Sequence, residues 1–365
     1  MRLARACRSE KQLKRNGRNE NSVDGQDVKP TLKTIAFMTG LAVASVSKAL
    51  KDAPDISQKT KDRVRLIAQQ IGYEPDPAGI RLRTGRTKVI AVVLSIDEDR
   101  VGFSSQFVFG ISEALRSTGY NMMVMPHTLQ NDGLSSVRYL VDNKIADGII
   151  IARIEPHDAR VRFLSDRGVA FSTHGRSSMG IEHPFADFDN HAFAYQAVEL
   201  LARRDRRRIA IIAPPQNLSY FDHIRSGFRS AMNAFALPEA AMWSHTDTPL
   251  RDAYQEFETL LRSSEPPDAL ICCAGGTAIA ANAALLAAGR TLGKDFDMVA
   301  KQSFELLHWI DPNIIIAQED LRTSGRDVAE LVLARIAGED PAMLKRLTQP
   351  RWLDNNSLQH LKEPT

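Results

Sequence analysis

Cysteine is scarce: the 365 residues hold three. Two of them, Cys272 and Cys273, are adjacent in an apolar run, so no disulfide framework is available and the pair is expected in strand core rather than as a redox switch. No run of about 18 apolar residues occurs, which excludes a membrane-spanning helix. The N-terminal residues hold no apolar stretch long enough for a secretory signal. The chain is therefore expected to be cytoplasmic, with no membrane partner. Common catalytic signatures are missing as well. No G-x-G-x-x-G follows the first apolar run, no G-x-x-x-x-G-K-[ST] occurs, and no G-x-S-x-G elbow is present. Nine histidines are scattered without H-E-x-x-H or the cysteine and histidine spacing of a zinc site. His174, His183 and His191 do not carry the spacing of a metal site. The expectation is no catalytic residue, no cofactor and no metal.

Charge, by contrast, is plentiful and unevenly placed. Val28 to Lys88 carries 12 Lys and Arg against 5 Asp and Glu, and residues 1–27 carry 7 against 4. The remainder carries 28 against 35, so the net value of +3 hides a basic front and an acidic body. Basic charge gathered on one small segment is the footprint of a polyanion, and nucleic acid is the expected partner. The run Arg203-Arg204-Asp205-Arg206-Arg207-Arg208 resembles a second such patch. Its place between a helix and a strand favours a solvated turn instead.

The basic segment reads as short helices. Leu32, Ile35 and Ala36 share one helical face, with Thr31 placed as N-cap. Gly40 supplies a turn needing positive φ. A second helix starts near Ala42 and buries Val46, Ala49 and Leu50, leaving Val43, Ala44, Ser47 and Lys48 on a mixed outer face. Ser57 caps a third, whose stripe is Thr60, Val64, Ile67, Ala68 and Ile71, ended by Gly72. Two helices joined by a tight turn, the second presenting small and basic side chains, make a helix-turn-helix arrangement. A three-helix bundle for protein contacts is the plainer alternative.

From Lys88 onward, strands and helices alternate. Val89 to Ser95 is a continuous apolar run, hence a buried parallel strand. Further strands are expected at 121–125, 148–152, 170–174, 208–213, 242–245, 269–273, 298–301 and 314–318, with helices between them. Such alternation predicts doubly wound parallel sheets, and the length calls for two lobes. Ligands in such sheets sit at the carboxyl ends of strands. That rule gathers Ser104, Gln106 and Phe107, then Arg153, His174-Gly175-Arg176, Asp187 to Asn190, Tyr220 to Arg225, Gly275 to Thr277 and Lys301 to Ser303. Short polar groups with an aromatic or two suit a polyhydroxylated ligand.

The run Ala44-Ser45-Val46-Ser47-Lys48-Ala49-Leu50, with Tyr73-Glu74-Pro75 at its distance downstream, resembles the head and hinge of LacI/GalR-type transcriptional regulators. The resemblance continues along most of the chain. It implies a helix-turn-helix head and a two-lobed α/β core of the periplasmic-binding-protein kind. It also implies a homodimer on a palindromic DNA operator, usually as a repressor, and an effector that is typically a carbohydrate. Val43, Ala44 and Lys48 match base-reading positions: Lys48 can donate to guanine, the other two offer apolar contact. Thr31, Ser45 and Ser47 match phosphate-contacting positions. Ala42 stands where a Ser cap is usual.

In the hinge, Asp76 and Pro77 suit a helix start, yet Ala78 to Arg83 make at most two turns, which is marginal alone in water. The resemblance implies folding against DNA, with Leu82 wedging into the minor groove and Arg81 and Arg83 holding the backbone. In the core, Asp189 and Arg225 match effector-binding positions, while His174 and Phe221 match pocket-lining ones. Gly275-Gly276 stands where members often carry Asn-Asp. Ala300-Lys301-Gln302-Ser303 stands where they carry Gly-Phe-Asp-Asp, so Gln302 replaces a carboxylate. The expected effector set is thus Gln106, Phe107, His174, Arg176, Asp189, Phe221, Arg225 and Gln302. The expected division is a disordered leader at 1–29, beginning upstream of a family-like start at Val28-Lys29-Pro30-Thr31, then a head at 30–74 and a hinge at 75–87. The core follows at 88–350, with a tail at 351–365 that has no heptad leucines for a coiled coil. A solute-binding protein or a sugar-active α/β enzyme is the alternative reading of the core.

Overall fold

A computed structural model of the chain describes residues 29–74, 79, 84–95, 103–128, 133–238, 242–303 and 305–353. It forms two units, Met1–Gly79 and Ile80–Thr365. The hinge residues Arg81, Leu82 and Arg83, and nearly all of the leader, lie outside the described residues.

Among its described residues the first unit forms three helices: α1 (Leu32–Thr39), α2 (Val43–Leu50) and α3 (Gln58–Gln70). Thr31 caps α1 through a reciprocal box with Thr34, and Gly40 closes it in the left-handed region at φ 71°. Ser57 caps α3 by accepting from the Thr60 amide. Ala42, at the head of α2, supplies no side-chain cap. Ile35, Ala36, Val46, Ala49, Val64 and Ala68 form the core, with Leu50, Ile67, Ile71 and Tyr73 packed around it. One inward position differs from the expected stripe. Thr60 stays partly exposed and Lys61 is buried, its ammonium 3.0 Å from the Asp52 carboxylate. A long side chain can bury its stem while its charge reaches a partner.

The second unit is built on two six-stranded sheets. The first lobe holds β1 (Val89–Ser95), α4 (Phe103–Leu115), β2 (Asn121–His127), α5 (Leu134–Asp142), β3 (Gly148–Ile151), α6 (Ala159–Asp166), β4 (Phe171–His174) and β5 (Phe185–Phe188). The chain then enters the second lobe with α7 (Asn190–Ala202), β6 (Ile209–Ala213), α8 (Ser219–Ala234), β7 (Met242–His245), α9 (Leu250–Leu261), β8 (Ala269–Cys272), α10 (Gly275–Ala287), β9 (Asp297–Gln302), α11 (Leu307–Ile310) and β10 (Ile315–Gln318). It returns to the first lobe for α12 (Leu321–Ala337) and β11 (Lys345–Thr348), and ends in the second with β12 (Arg351–Leu353). The sheet orders are β11-β5-β4-β3-β1-β2 and β12-β10-β9-β8-β6-β7. Pairing is parallel except where β12 runs antiparallel to β10. β1, β3, β6 and β8 are buried almost end to end, as strands covered on both faces must be.

Four elements depart from expectation: β5, β11, β12 and α11. They are three or four residues long; β11 is a short polar edge strand, a pattern that blunts further pairing, and β12 is a short edge strand whose Trp352 and Leu353 pack against the core. Arg351–Leu353, assigned to the tail by sequence, is therefore the last strand of the second sheet.

Helices cross closely at glycine. A Cβ on Gly110 of α4 would lie 1.9 Å from the Arg322 carbonyl oxygen, and one on Gly325 of α12 would lie 2.1 Å from that of Phe107. The arginine run clamps the base of the second lobe: Arg206 Nε donates to Asp297 at 2.7 Å, and the Arg207 and Arg208 amides donate to Asp268. Cys272 and Cys273 are fully buried, and burial pushes the Cys273 thiol up to about 12 and that of Cys272 further still, so both stay protonated core groups.

Candidate functional site

A cavity of about 170 Å³ opens among the carboxyl ends of the strands of both sheets. From the first lobe, β3 delivers Arg153 and Ile154, β4 delivers His174 and Gly175, and β5 delivers Asp187. From the second come Asn190, Ser219 and Tyr220 at helix starts, Thr246 and Asp247 after β7, Gly275 to Thr277 at the head of α10, Lys301 and Gln302 at the end of β9 with Ser303 just beyond, and Glu319 after β10. Carboxylates, amides, hydroxyls and two cations thus converge beside apolar Ile154, Ile279 and Leu307.

The floor is a closed polar network. Lys301 Nζ lies 2.9 Å from Glu319 Oε2 and donates to Asn190 Oδ1 at 3.0 Å, with the Phe188 and Tyr220 rings 5.0 and 5.5 Å away. Gln302 is 3% exposed; its amide donates to Gln318 and its carbonyl accepts from the Leu307 amide. Burial pushes the Asp187 carboxyl up to about 7, against the pull of Arg176, whose Nε lies 3.0 Å away. Burial likewise lowers the His174 pKa, opposed by Glu319, so the imidazole is neutral near pH 7 and can accept as well as donate.

Arg153 is presented by a pre-set loop. Its backbone sits at φ 53°, a left-handed conformation unusual for a residue with a Cβ. Buried Arg160 holds it there, Nη2 donating to the carbonyls of Arg153 at 2.7 Å and Ala152 at 3.1 Å. Asp158, the N-cap of α6, orients Arg160 through 2.6 and 3.0 Å bonds. Burial works to raise the Asp158 carboxyl, yet Arg160 and the Glu155 and Arg160 amides outweigh it and hold it below the usual range.

Of the eight expected effector residues, His174 and Gln302 line this cavity. Phe107 stands one layer behind, fully buried, its ring edge-on to His174 at 5.2 Å. Arg176 reaches the cavity through Asp187. Gln106 lies half-buried on α4, and Asp189 is engaged at the lobe crossing, where it caps α7 through the Ala192 amide and accepts from Gln349. Phe221 packs in the core of the second lobe. Arg225 points to solvent, paired with Asp222 at 2.9 Å, because Ile224 takes the inward place on α8 and the next residue is turned about 100° away. Sequence reading missed Asp247, Thr246, Ser219 and Glu319. The strand-end rule that found Arg153 and Lys301 applies equally to Asp247, which follows β7.

On α2, Val43 is 40% exposed, Ala44 and Lys48 are exposed, and Ser45 and Ser47 are half-buried. Lys48 Nζ pairs with Asp55 at 2.6 Å. Thr31 spends its hydroxyl on the capping box. Among the described residues, no three His, Cys, Asp or Glu side chains converge as a metal site, and no helix is long and apolar enough to cross a membrane.

Comparisons with known proteins agree with this architecture. The family model for bacterial regulatory proteins of the lacI family matches residues 31–76, and that for periplasmic binding proteins and the sugar binding domain of the LacI family matches residues 87–351. The chain is 28% identical to the HTH-type transcriptional regulator AglR of Rhizobium meliloti over 84% of this chain and 88% of the relative. It is 29% identical to RafR of Escherichia coli, another HTH-type transcriptional regulator, over 86% and 94%. Among solved structures, the lac repressor dimer bound to operator and the anti-inducer ONPF aligns with a TM-score of 0.78 at 19% identity, over 89% of this chain and 98% of that one. The regulator CelR in complex with cellobiose aligns at 0.66 and 22% identity, over 89% and 99%. With one family model on the helical unit and the other on nearly all of the two-lobed unit, the chain belongs to the LacI family of bacterial transcriptional regulators.

Proposed function

We propose that the chain is a repressor that binds a palindromic operator as a homodimer and releases or grips it according to a small polyhydroxylated ligand, a sugar by preference, held between the lobes. The observation that carries the ligand class is the cavity lining: Asp247, Asn190, Thr246 and Ser303 offer acceptors and donors spaced among apolar side chains, which suits vicinal hydroxyls on a carbon ring. At about 170 Å³ the cavity falls below the roughly 300 Å³ at which drug-sized pockets begin. A single-ring ligand fits that size. The cellobiose complex of CelR and the operator-bound lac repressor dimer support the two halves of the reading.

In this reading α2 enters the major groove, with Val43, Ala44 and Lys48 toward base edges and Thr31, Ser45 and Ser47 toward phosphates. Arg81, Leu82 and Arg83 form the minor-groove hinge. Two heads on one symmetric dimer require two half-sites. The ligand biases the arrangement of the lobes, and the operator affinity changes by no more than its differential affinity for the two states. A regulator of this kind works where the chromosome is, in the cytoplasm, and turns over no substrate.

Thermal shift of the full chain against single-ring sugars, polyols and disaccharides tests the ligand class. A ligand at 100 times its Kd adds about 2.7 kcal/mol of stability, well within detection. Selection of operator sequence from a random duplex pool tests the head. Failure of every carbohydrate to shift the transition overturns the sugar reading; failure to enrich any duplex overturns the regulator reading.

A further inference from the structure

We propose that Arg153 and Asp247 form a latch across the cleft that keeps the lobes together in the ligand-free chain and parts when a ligand is admitted. Arg153 follows β3 of the first sheet, and Asp247 follows β7 of the second. Both line the cavity. Their contact is two-pronged: Nη2 donates to Oδ2 at 2.8 Å and Nη1 to Oδ1 at 3.3 Å. The side chains are 11% and 19% exposed, so water screens the pair far less than it screens the surface pairs of the same lobes. The guanidinium is aimed in advance, because Arg160 fixes the strained backbone of Arg153 through its own carbonyl. A side chain held in a costly backbone conformation by a buried ion pair is a pre-organised contact rather than a chance surface pairing.

Beside the latch, lesser bonds tie the same first-lobe loop to a second segment of the other lobe, the one between β6 and α8. The Ser219 amide and hydroxyl both donate to the Ile154 carbonyl, at 2.9 and 2.8 Å, and Asn217 donates to Glu155 at 3.1 Å. A neutral hydroxylated ligand has no charge with which to replace either member of the pair. It must therefore pass while the pair is open and leave it free to re-form. The latch thereby limits the ligand to what the closed cavity accommodates. The latch itself rests on the geometry of the cleft and stands apart from the DNA reading; the re-forming of the pair around the ligand rests on the sugar reading.

Ser219 supplies a direct readout. It is the first residue of α8, so its amide has no partner within the helix and is covered by the other lobe. Hydrogen exchange at that amide, resolved to the single residue in the full ligand-free chain, reports opening of the cleft. Arg153→Gln and Asp247→Asn are each expected to speed it about tenfold, and the double variant no more than either alone, as a coupled pair requires. The Ile211 and Ile271 amides in the second sheet serve as controls and are expected to stay unchanged. Unaltered exchange at Ser219, equal acceleration of the controls, or about hundredfold acceleration in the double variant overturns the latch.

Discussion

Lys301 and Glu319 meet at 2.9 Å beneath the cavity, each less than a tenth exposed. Lys301 on β9 occupies a position where the resemblance leads one to expect an aromatic, and the structure answers its charge with Glu319, just past the end of β10. Removing one partner leaves the other charge buried and unmatched, a loss of about 3–5 kcal/mol. Lys301→Met is therefore expected to lower the urea midpoint of the core sharply, and Lys301→Met with Glu319→Gln to recover much of the loss. Equal midpoints for single and double variants would show that the ammonium, and not its pairing, carries the effect.

Asp187 introduces a pH dependence of definite sign. Its carboxyl titrates near 7 in the folded chain and near 3.8 when unfolded, with Arg176, Lys301 and Glu319 as its charged neighbours. Between those values the folded chain holds a proton that the unfolded chain has lost. Stability from this group is complete below about pH 4, falls by up to roughly 1.4 kcal/mol per pH unit, and is gone above about pH 7. Asp187→Asn keeps the neutral shape at every pH. The variant is expected to match the parent near pH 4 and exceed it increasingly up to pH 7, read from urea midpoints at each pH. Parallel curves would contradict the raised titration.

Much of this was legible beforehand, for physical reasons that name their own limits. β1, β6 and β8 are continuous apolar runs because helices cover both faces, and Thr31, Gly40 and Ser57 marked helix ends through their side-chain and backbone chemistry. β5, β11 and β12 left no such mark: three or four residues, partly charged, are strands through their pairing partners rather than their own pattern. Of the residues the strand-end rule gathers, Arg153 and Lys301 line the cavity. Arg225 and Asp189 lie off it: a shift of one helical position turns Arg225 to solvent, and Asp189 is engaged in a capping bond that a sequence does not display.

On the head, the proposed base contact of Lys48 competes with Asp55, which holds the ammonium at 2.6 Å. An exposed pair of this kind is worth little, so DNA can take the lysine from it. Lys48→Ala is expected to cost about 1–3 kcal/mol of operator affinity and to relax the preference at one base pair. Asp55→Asn removes both the competitor and a negative charge beside the proposed recognition helix, and is expected to tighten binding, most clearly at low salt. Binding isotherms on selected and scrambled duplexes separate the two roles. Equal loss on both duplexes for Lys48→Ala would mean a phosphate contact.

Gly325 lets α12 return to the first lobe and lie against α4 at backbone distance. A methyl group there would meet the Phe107 carbonyl oxygen at 2.1 Å and the Ile111 amide nitrogen at 3.1 Å, atoms that cannot swing aside as a side-chain end can. The helices would have to separate, and Phe107, packed edge-on to His174 at the cavity, would move with α4. Gly325→Ala is thus expected to destabilise the core by about 1–3 kcal/mol, the usual range for overpacking, despite the better helix propensity of alanine. The same variant is expected to weaken binding of any ligand found by thermal shift, since Phe107 no longer backs His174. A Gly325→Ala chain as stable as the parent would show that α4 and α12 can part without cost, and would remove the packing link between that crossing and the cavity.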